Sequence, residues 1–176
     1  HPKGRGADPQ AVSDLRALMG YRTPLRDELI EYLHLIQDTH HHISSRNLAA
    51  LAEVMELSMA EVFETATFYA HFDVVGDEDT PPPELTIRVC DSLSCQISGA
   101  AELKALLDER TDDNVRVITA PCMGRCDRAP VVAVGENHLT AADAETIVRA
   151  VDAGEREAVV AGYVDLEDYA RGKGYD

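Results

Sequence analysis

The stretch Leu85-Thr-Ile-Arg-Val-Cys-Asp-Ser-Leu-Ser-Cys95 decides how this chain is to be read. Leu85, Ile87 and Val89 alternate with Thr86 and Arg88, the period of two expected of a strand with one buried face. The strand runs directly into Cys90, and after four intervening residues comes Cys95. The same design recurs downstream: Val115 to Ile118 predicts a second short strand, which delivers the chain to Pro121 and then to Cys122-Met-Gly-Arg-Cys126. Both cysteine pairs therefore follow strand ends, and strands leaving a sheet in one direction bring their loops to one edge.

Between the pairs, Gly99 to Asp108 reads as a helix with Leu103, Leu106 and Leu107 facing inward. After them, Val131 to Val134, Gly135-Glu136-Asn137 and His138-Leu139 read as a hairpin. Thr140 with Asp143 opens a last helix carrying Ile147, Val148 and Val151. The order β-α-β then β-β-α, with a right-handed crossover, gives a small mixed sheet flanked by helices, the thioredoxin-like arrangement.

Upstream, Gly76-Asp-Glu-Asp-Thr-Pro-Pro-Pro83 cannot be helix interior and reads as a linker. Before it the period is helical. Leu25, Leu29, Leu33 and Ile36 form one stripe, and Leu48, Leu51, Ala52 and Met55 form another. Ser58 with Glu61 makes a capping box for a third helix presenting Val62, Phe63, Ala66 and Tyr69. Asp8 to Met19 is a further short helix. The expected organisation is thus an extension over 1–23, a helical bundle over 24–75, the thioredoxin-like domain over 84–152 and a tail over 153–176. In class this is α+β or α/β.

Composition narrows the function. Among 176 residues, 32 acidic against 16 basic give a formal net charge of −16, a field that repels nucleic acid and anionic lipid. No stretch approaches the roughly 20 apolar residues of a membrane span, so direct membrane insertion is not expected. Four cysteines without a secretory pattern favour a reducing, cytoplasmic setting, and metal or redox chemistry over disulfides. A [2Fe–2S] cluster takes four thiolates, two on each iron, which two loops at one sheet edge can supply. Turning backbone near Gly99 and Gly124 can aim N–H donors at its sulfurs. Cys₄ zinc is the competing reading, in a zinc-stabilised interaction module. Two disulfides would need an oxidising compartment, and a thiol–disulfide oxidoreductase would be expected to show Cys-x-x-Cys. With a cluster core of about −2 on an acidic chain, reduction is disfavoured, near the plant-type range of about −400 mV. Arg125 and Arg128 flank the last ligand, either to offset that charge or as ordinary surface cations.

The constellation Cys90/Cys95, Cys122/Gly124/Cys126 and Pro130-Val131 resembles the thioredoxin-like [2Fe–2S] ferredoxin family, the roughly 24-kilodalton subunit of respiratory complex I. Leu35-Ile36-Gln37, Leu51-Ala52-Glu53 and Ala66-Thr67-Phe68-Tyr69 through Phe72 resemble that family's helical region, so the likeness runs from about 24 to 151. Two departures stand out: a short passage through Asp112-Asp113-Asn114, and His41 or His42 where the family often has Gly.

The resemblance implies cluster ligation by Cys90, Cys95, Cys122 and Cys126 and one-electron transfer with no catalytic site on this segment. It also implies an NAD-linked flavoenzyme complex. The wording around Cys90–Cys95 is most similar to the form fused ahead of the flavin- and NADH-binding unit of NAD-dependent formate dehydrogenase. The tail from Tyr163 to Tyr175 resembles the opening of that flavoprotein, with Lys173 where Gly is usual. FMN and NAD are then expected on the neighbouring domain or subunit. A further partner would be a formate dehydrogenase catalytic subunit bearing more Fe–S clusters. Complex I and NAD-reducing hydrogenase are the alternative parents, and a family member that only braces its neighbour is a further one. Phe63, Phe68, Tyr69 and Phe72 are the candidate docking surface. His40-His41-His42 is not read as a metal site, because adjacent helical residues point in different directions.

Overall fold

The computed structural model describes residues 6–159, 162 and 164–172. They form two compact units: one holds the chain up to Thr86 with Asp112–Arg116, the other Ile87–Thr111 with the chain from Val117 onward. Tyr163, Lys173 and Tyr175 of the tail motif lie outside the described residues.

In the first unit, helix starts are set by side chains that satisfy otherwise orphaned N–H groups. Asp8 accepts from Gln10 N–H (2.8 Å) ahead of α1, Pro9–Leu18. A 3₁₀ turn, Arg26–Glu28, leads into α2, Leu29–His40. A two-residue strand β1, Ile43–Ser44, follows, and Ser44 then accepts from Asn47 N–H (3.1 Å) ahead of α3, Ser45–Val54. Ser58 accepts from Glu61 N–H (3.2 Å) ahead of α4, Met59–Phe68. A second short strand, β2 (Val74–Val75), pairs in parallel with β1.

The two expected apolar stripes meet in one core. Leu29, Leu33 and Ile36 of α2 pack with Leu48, Leu51 and Ala52 of α3, with Met55, and with Val62 and Ala66 of α4. Ala11, Leu15 and Met19 belong to the same core, so α1 is packed with the bundle rather than set apart from it. Leu25 differs from expectation: it precedes the 3₁₀ turn, out of phase with α2, and is 59% exposed. Phe63 is also exposed, because α4 buries the Val62/Ala66 line and Phe63 lies about 100° around the helix from it; Tyr69, exposed too, sits past the helix end in extended backbone. Phe72 is buried.

A polar network ties the end of α2 to the following chain. The buried Gln37 accepts from Asp73 N–H (3.0 Å) and donates to the carbonyl of His41 (3.1 Å). The Asp73 carboxylate in turn accepts from Arg116 (2.6 Å), whose guanidinium also reaches Thr86 Oγ1 (3.0 and 3.1 Å). His41 ends α2 in the left-handed region (φ +60°), its N–H donating to Gln37 O at 2.7 Å. A left-handed helix end is where glycine costs least, so His41 holds this position at some backbone cost.

The larger sheet is built from β3 (Leu85–Cys90), β4 (Val115–Ala120), β5 (Val131–Val134) and β6 (Asn137–Thr140), in the order β4-β3-β5-β6. β5 is antiparallel to β3 (Val89 opposite Val132) and to β6. The burial of β3 is nearly continuous instead of alternating, the pattern of a strand covered on both faces. Thr86 is buried, with its hydroxyl taken by Arg116. The hairpin turn is the pair Gly135-Glu136, Asn137 already facing Val134 in the ladder. Gly135 has φ +60°, and a Cβ there would stand 3.0 Å from Arg156 O.

In the second unit α5 (Leu93–Ile97) and α6 (Ala100–Arg110) lie between β3 and β4 in the chain, and α7 (Ala144–Asp152) follows β6. The five-residue α5 is too short to show a period in the sequence, and Leu106 of α6 is exposed while Leu103 and Leu107 are buried. α7 is capped by Asp143, accepting from Thr146 N–H (2.9 Å), rather than started by Thr140. It buries Ala144, Ile147 and Ala150, with Val148 and Val151 half-buried. A short helix α8, Leu166–Arg171, follows.

Candidate iron–sulfur site

Cys90 is the last residue of β3, and β4 ends two residues before Cys122. The N–H of Asp91 donates to Ala120 O at 3.0 Å, so the two strand ends lie side by side and their loops leave together. From there the pairs differ. Cys90 and Cys95 are buried, Cys95 inside α5, whereas Cys122 and Cys126 are exposed, Cys126 opening the 3₁₀ turn Cys126–Arg128. All four are free thiols, with Cys122 Sγ and Cys126 Sγ 3.4 Å apart.

The sulfurs act on one another. Burial, and next the neighbouring Cys90, push the Cys95 thiol up, while the N–H of Val131 opposes this by donating to its sulfur. The N–H of Gly124 (3.4 Å) is the main influence drawing Cys122 below the ordinary thiol range, with Cys126, Ser92 and Cys90 contributing in the same direction. Cys126 is raised by its proximity to Cys122, with Cys90 adding to the rise and the Ser94 hydroxyl opposing it. A positive charge among thiols that resist simultaneous ionisation would favour their thiolate forms.

Their spacing bears on which metal fits. A tetrahedral zinc with Zn–S of about 2.3 Å would draw all four sulfurs to roughly 3.8 Å from one another. A two-iron core asks instead that each pair of sulfurs close on its own iron. The exposed pair is close enough to share one iron, leaving the buried pair for a second. Four thiolates, two on each iron, would be the donor set of a two-iron core.

Donors to the sulfurs come from three places. Gly124 supplies one, in the left-handed conformation (φ +77°) that turns its N–H back on Cys122. Gly99 does not: its N–H donates to Gln96 O (3.1 Å), and it serves as the N-cap of α6. Val131, Ser92 and Ser94 are donors that the cysteine spacing alone does not single out. Their signal in the sequence is the two hydroxyls within Cys90-Asp-Ser-Leu-Ser-Cys95. Arg125 and Arg128 are both exposed. No helix among the described residues is long and apolar enough to cross a membrane.

The chain is similar to known proteins. Residues 16–155 match the family described as thioredoxin-like [2Fe–2S] ferredoxin. An NADH-quinone oxidoreductase subunit of Buchnera aphidicola subsp. Baizongia pistaciae is 27% identical over 137 residues, covering 73% of this chain and 77% of that protein. The corresponding NADH-quinone oxidoreductase subunit of Rhizobium meliloti is 28% identical over 143 residues, covering 74% and 82% respectively. Among solved structures, an NAD⁺-reducing [NiFe]-hydrogenase in the air-oxidised state shares the fold, with a TM-score of 0.57 at 23% identity. That match covers 82% of this chain but only 28% of the hydrogenase chain. The chain belongs to the thioredoxin-like [2Fe–2S] ferredoxin family, the carriers of a [2Fe–2S] cluster.

Proposed function

We propose that Cys90, Cys95, Cys122 and Cys126 hold the cluster and that this segment passes single electrons within an NAD-linked oxidoreductase. The observation carrying this reading is the paired cysteine geometry at adjoining strand ends, with N–H and hydroxyl donors directed at the sulfurs. The cluster would accept and release one electron, and the chain would do no bond chemistry of its own. Its residues would shape the carrier: the buried Cys90 and Cys95 and the exposed Cys122 and Cys126 would hold the cluster with one edge toward the surface. That exposed edge is the natural route for electrons to arrive or leave. Anaerobic preparations should hold two irons and two sulfides per chain, the content of a [2Fe–2S] core. Changing any of the four cysteines to Ser should deplete or severely perturb the cluster, because serine is a harder ligand poorly matched to Fe–S cores. Normal visible and EPR spectra in all four variants would refute the ligand set.

At finer grain, the partner carries FMN and binds NADH, in an NAD-dependent formate dehydrogenase whose catalytic subunit bears further clusters, in a reducing cytoplasmic compartment. The support is the resemblance around Cys90–Cys95 and the relatives' membership of NADH-linked enzymes. Leu93 and Ile97, 77% and 78% exposed on the helix that holds Cys95, add an apolar contact surface beside the cluster. Phe63, Phe68 and Tyr69 offer another on the helical unit, while Phe72 is committed to its core. In the isolated parent complex, formate should reduce this cluster anaerobically and hydrogen should not. Reduction by hydrogen alone would assign the hydrogenase parent instead, and reduction by NADH alone a complex I parent.

A further inference from the structure

A second cluster of metal-binding side chains lies wholly within the helical unit, far in sequence from the nearest cysteine ligand of the first. His34 and Asp38 stand at i and i+4 on α2, so they share one face of that helix. His71 comes from the turn after α4. The ligand atoms of the three all lie within 4.8 Å of one another. The rings of His34 and His71 are 4.9 Å apart between centroids. Phe72, buried beneath, meets both rings edge-on at 4.8 and 5.5 Å and so limits their rotation. His34 and Asp38 are exposed and His71 half-buried, which leaves the trio open to an ion from solvent.

The geometry points to a binding site for a divalent first-row transition ion of the zinc class, held by His34, Asp38 and His71 with water in the fourth position. Two imidazoles and one carboxylate form a borderline donor set suited to Zn²⁺ and its neighbours, and unsuited to Ca²⁺ or Mg²⁺, which take oxygen ligands. Bonds of about 2.0–2.1 Å require the ligand atoms to close to roughly 3.3 Å. The exposed Asp38 carboxylate is the least constrained of the three and would make most of that approach. The ion's charge is favoured by Asp38 and by a chain of net charge −16. Binding ties α2 to the chain after α4 within one unit, and so resists its unfolding.

The test is a calorimetric titration of Zn²⁺ into the cluster-loaded chain, whose cysteines are then occupied, with the visible spectrum of the cluster followed throughout. One Zn²⁺ per chain is expected at a micromolar or tighter dissociation constant, with the cluster spectrum unchanged and the helical melting transition raised. His34→Ala and His71→Ala should each weaken binding at least tenfold, and Asp38→Asn by several-fold. The His40→Ala/His42→Ala double variant should bind as the parent does, which separates this site from the histidine tract. The site would be overturned by undiminished binding in a His34→Ala/His71→Ala variant of native helical content. Bleaching of the cluster in step with zinc uptake would overturn it equally. So would the absence of uptake at about 100 µM zinc, a concentration that saturates a micromolar site.

Discussion

Replacing Gly124 with alanine isolates what a single backbone N–H does for the cluster. Gly124 has φ +77°, and a Cβ built there meets nothing within 4 Å, so alanine introduces no clash. The whole effect is conformational: an L-residue held left-handed costs about 1–2 kcal/mol. The loop can keep its shape and bear that cost, or relax and lose the N–H donated to Cys122 Sγ at 3.4 Å. A hydrogen bond to a sulfur is stronger when the cluster carries the extra electron, so its loss destabilises the reduced form. If the bond's differential worth is about 0.5–1 kcal/mol, the midpoint potential falls by roughly 20–40 mV, at about 59 mV per tenfold for a one-electron couple. An EPR-monitored redox titration reads this directly. Gly20→Ala is the internal control: its φ is +74° and its Cβ position is equally open. It should carry a similar backbone cost with no change in potential. Gly124→Asn, which tolerates the left-handed region, should fall between parent and alanine. If Gly124→Ala shifted neither the potential nor the melting temperature, or Gly20→Ala shifted the potential as much, the assignment of this N–H to the cluster would be wrong.

Three further outcomes are expected. His41→Gly should raise the stability of the helical unit by about 1 kcal/mol in denaturant titration, since His41 sits at φ +60°; a loss of stability would show that its side chain matters more than its backbone. Asp73→Ala should cost about 1–3 kcal/mol by removing the acceptor of Arg116 and one partner of Gln37, and an unchanged melting curve would dismiss the network as ornamental. In the cluster-free chain, Cys122 should be alkylated first. It is exposed and its thiol is drawn below the ordinary range by the Gly124 N–H, so its thiolate persists as pH falls while Cys126 protonates earlier. Peptide mapping after brief alkylation at about pH 6 to 8, below the ordinary thiol range, checks the order, and faster reaction at Cys90 or Cys95 would contradict it.

Much of this protein is legible from sequence because period and capping are local properties. Leu29, Leu33 and Ile36 lie on one face by helical spacing alone, and Ser44 and Ser58 satisfy N–H groups three residues away. Leu85 to Cys90 reads as a strand for the same reason, and the cysteine spacing brings two pairs of thiols to strand ends. Tertiary structure decided what depends on chain segments distant in sequence. The exposure of Phe63 and the burial of Thr86 turn on which face or strand finds a neighbour, and Thr86 is satisfied by Arg116, 30 residues on. The two-residue strands at Ile43 and Val74 are too short to show a period and exist only as a pair. The split between a buried and an exposed cysteine pair, and the approach of Ser92 and Ser94 to Cys122 and Cys126, arise from how two loops meet at one sheet edge. The meeting of His34 and Asp38 with His71 has the same kind of origin: i and i+4 are written in the helix, but the third ligand arrives only when α4 folds against α2.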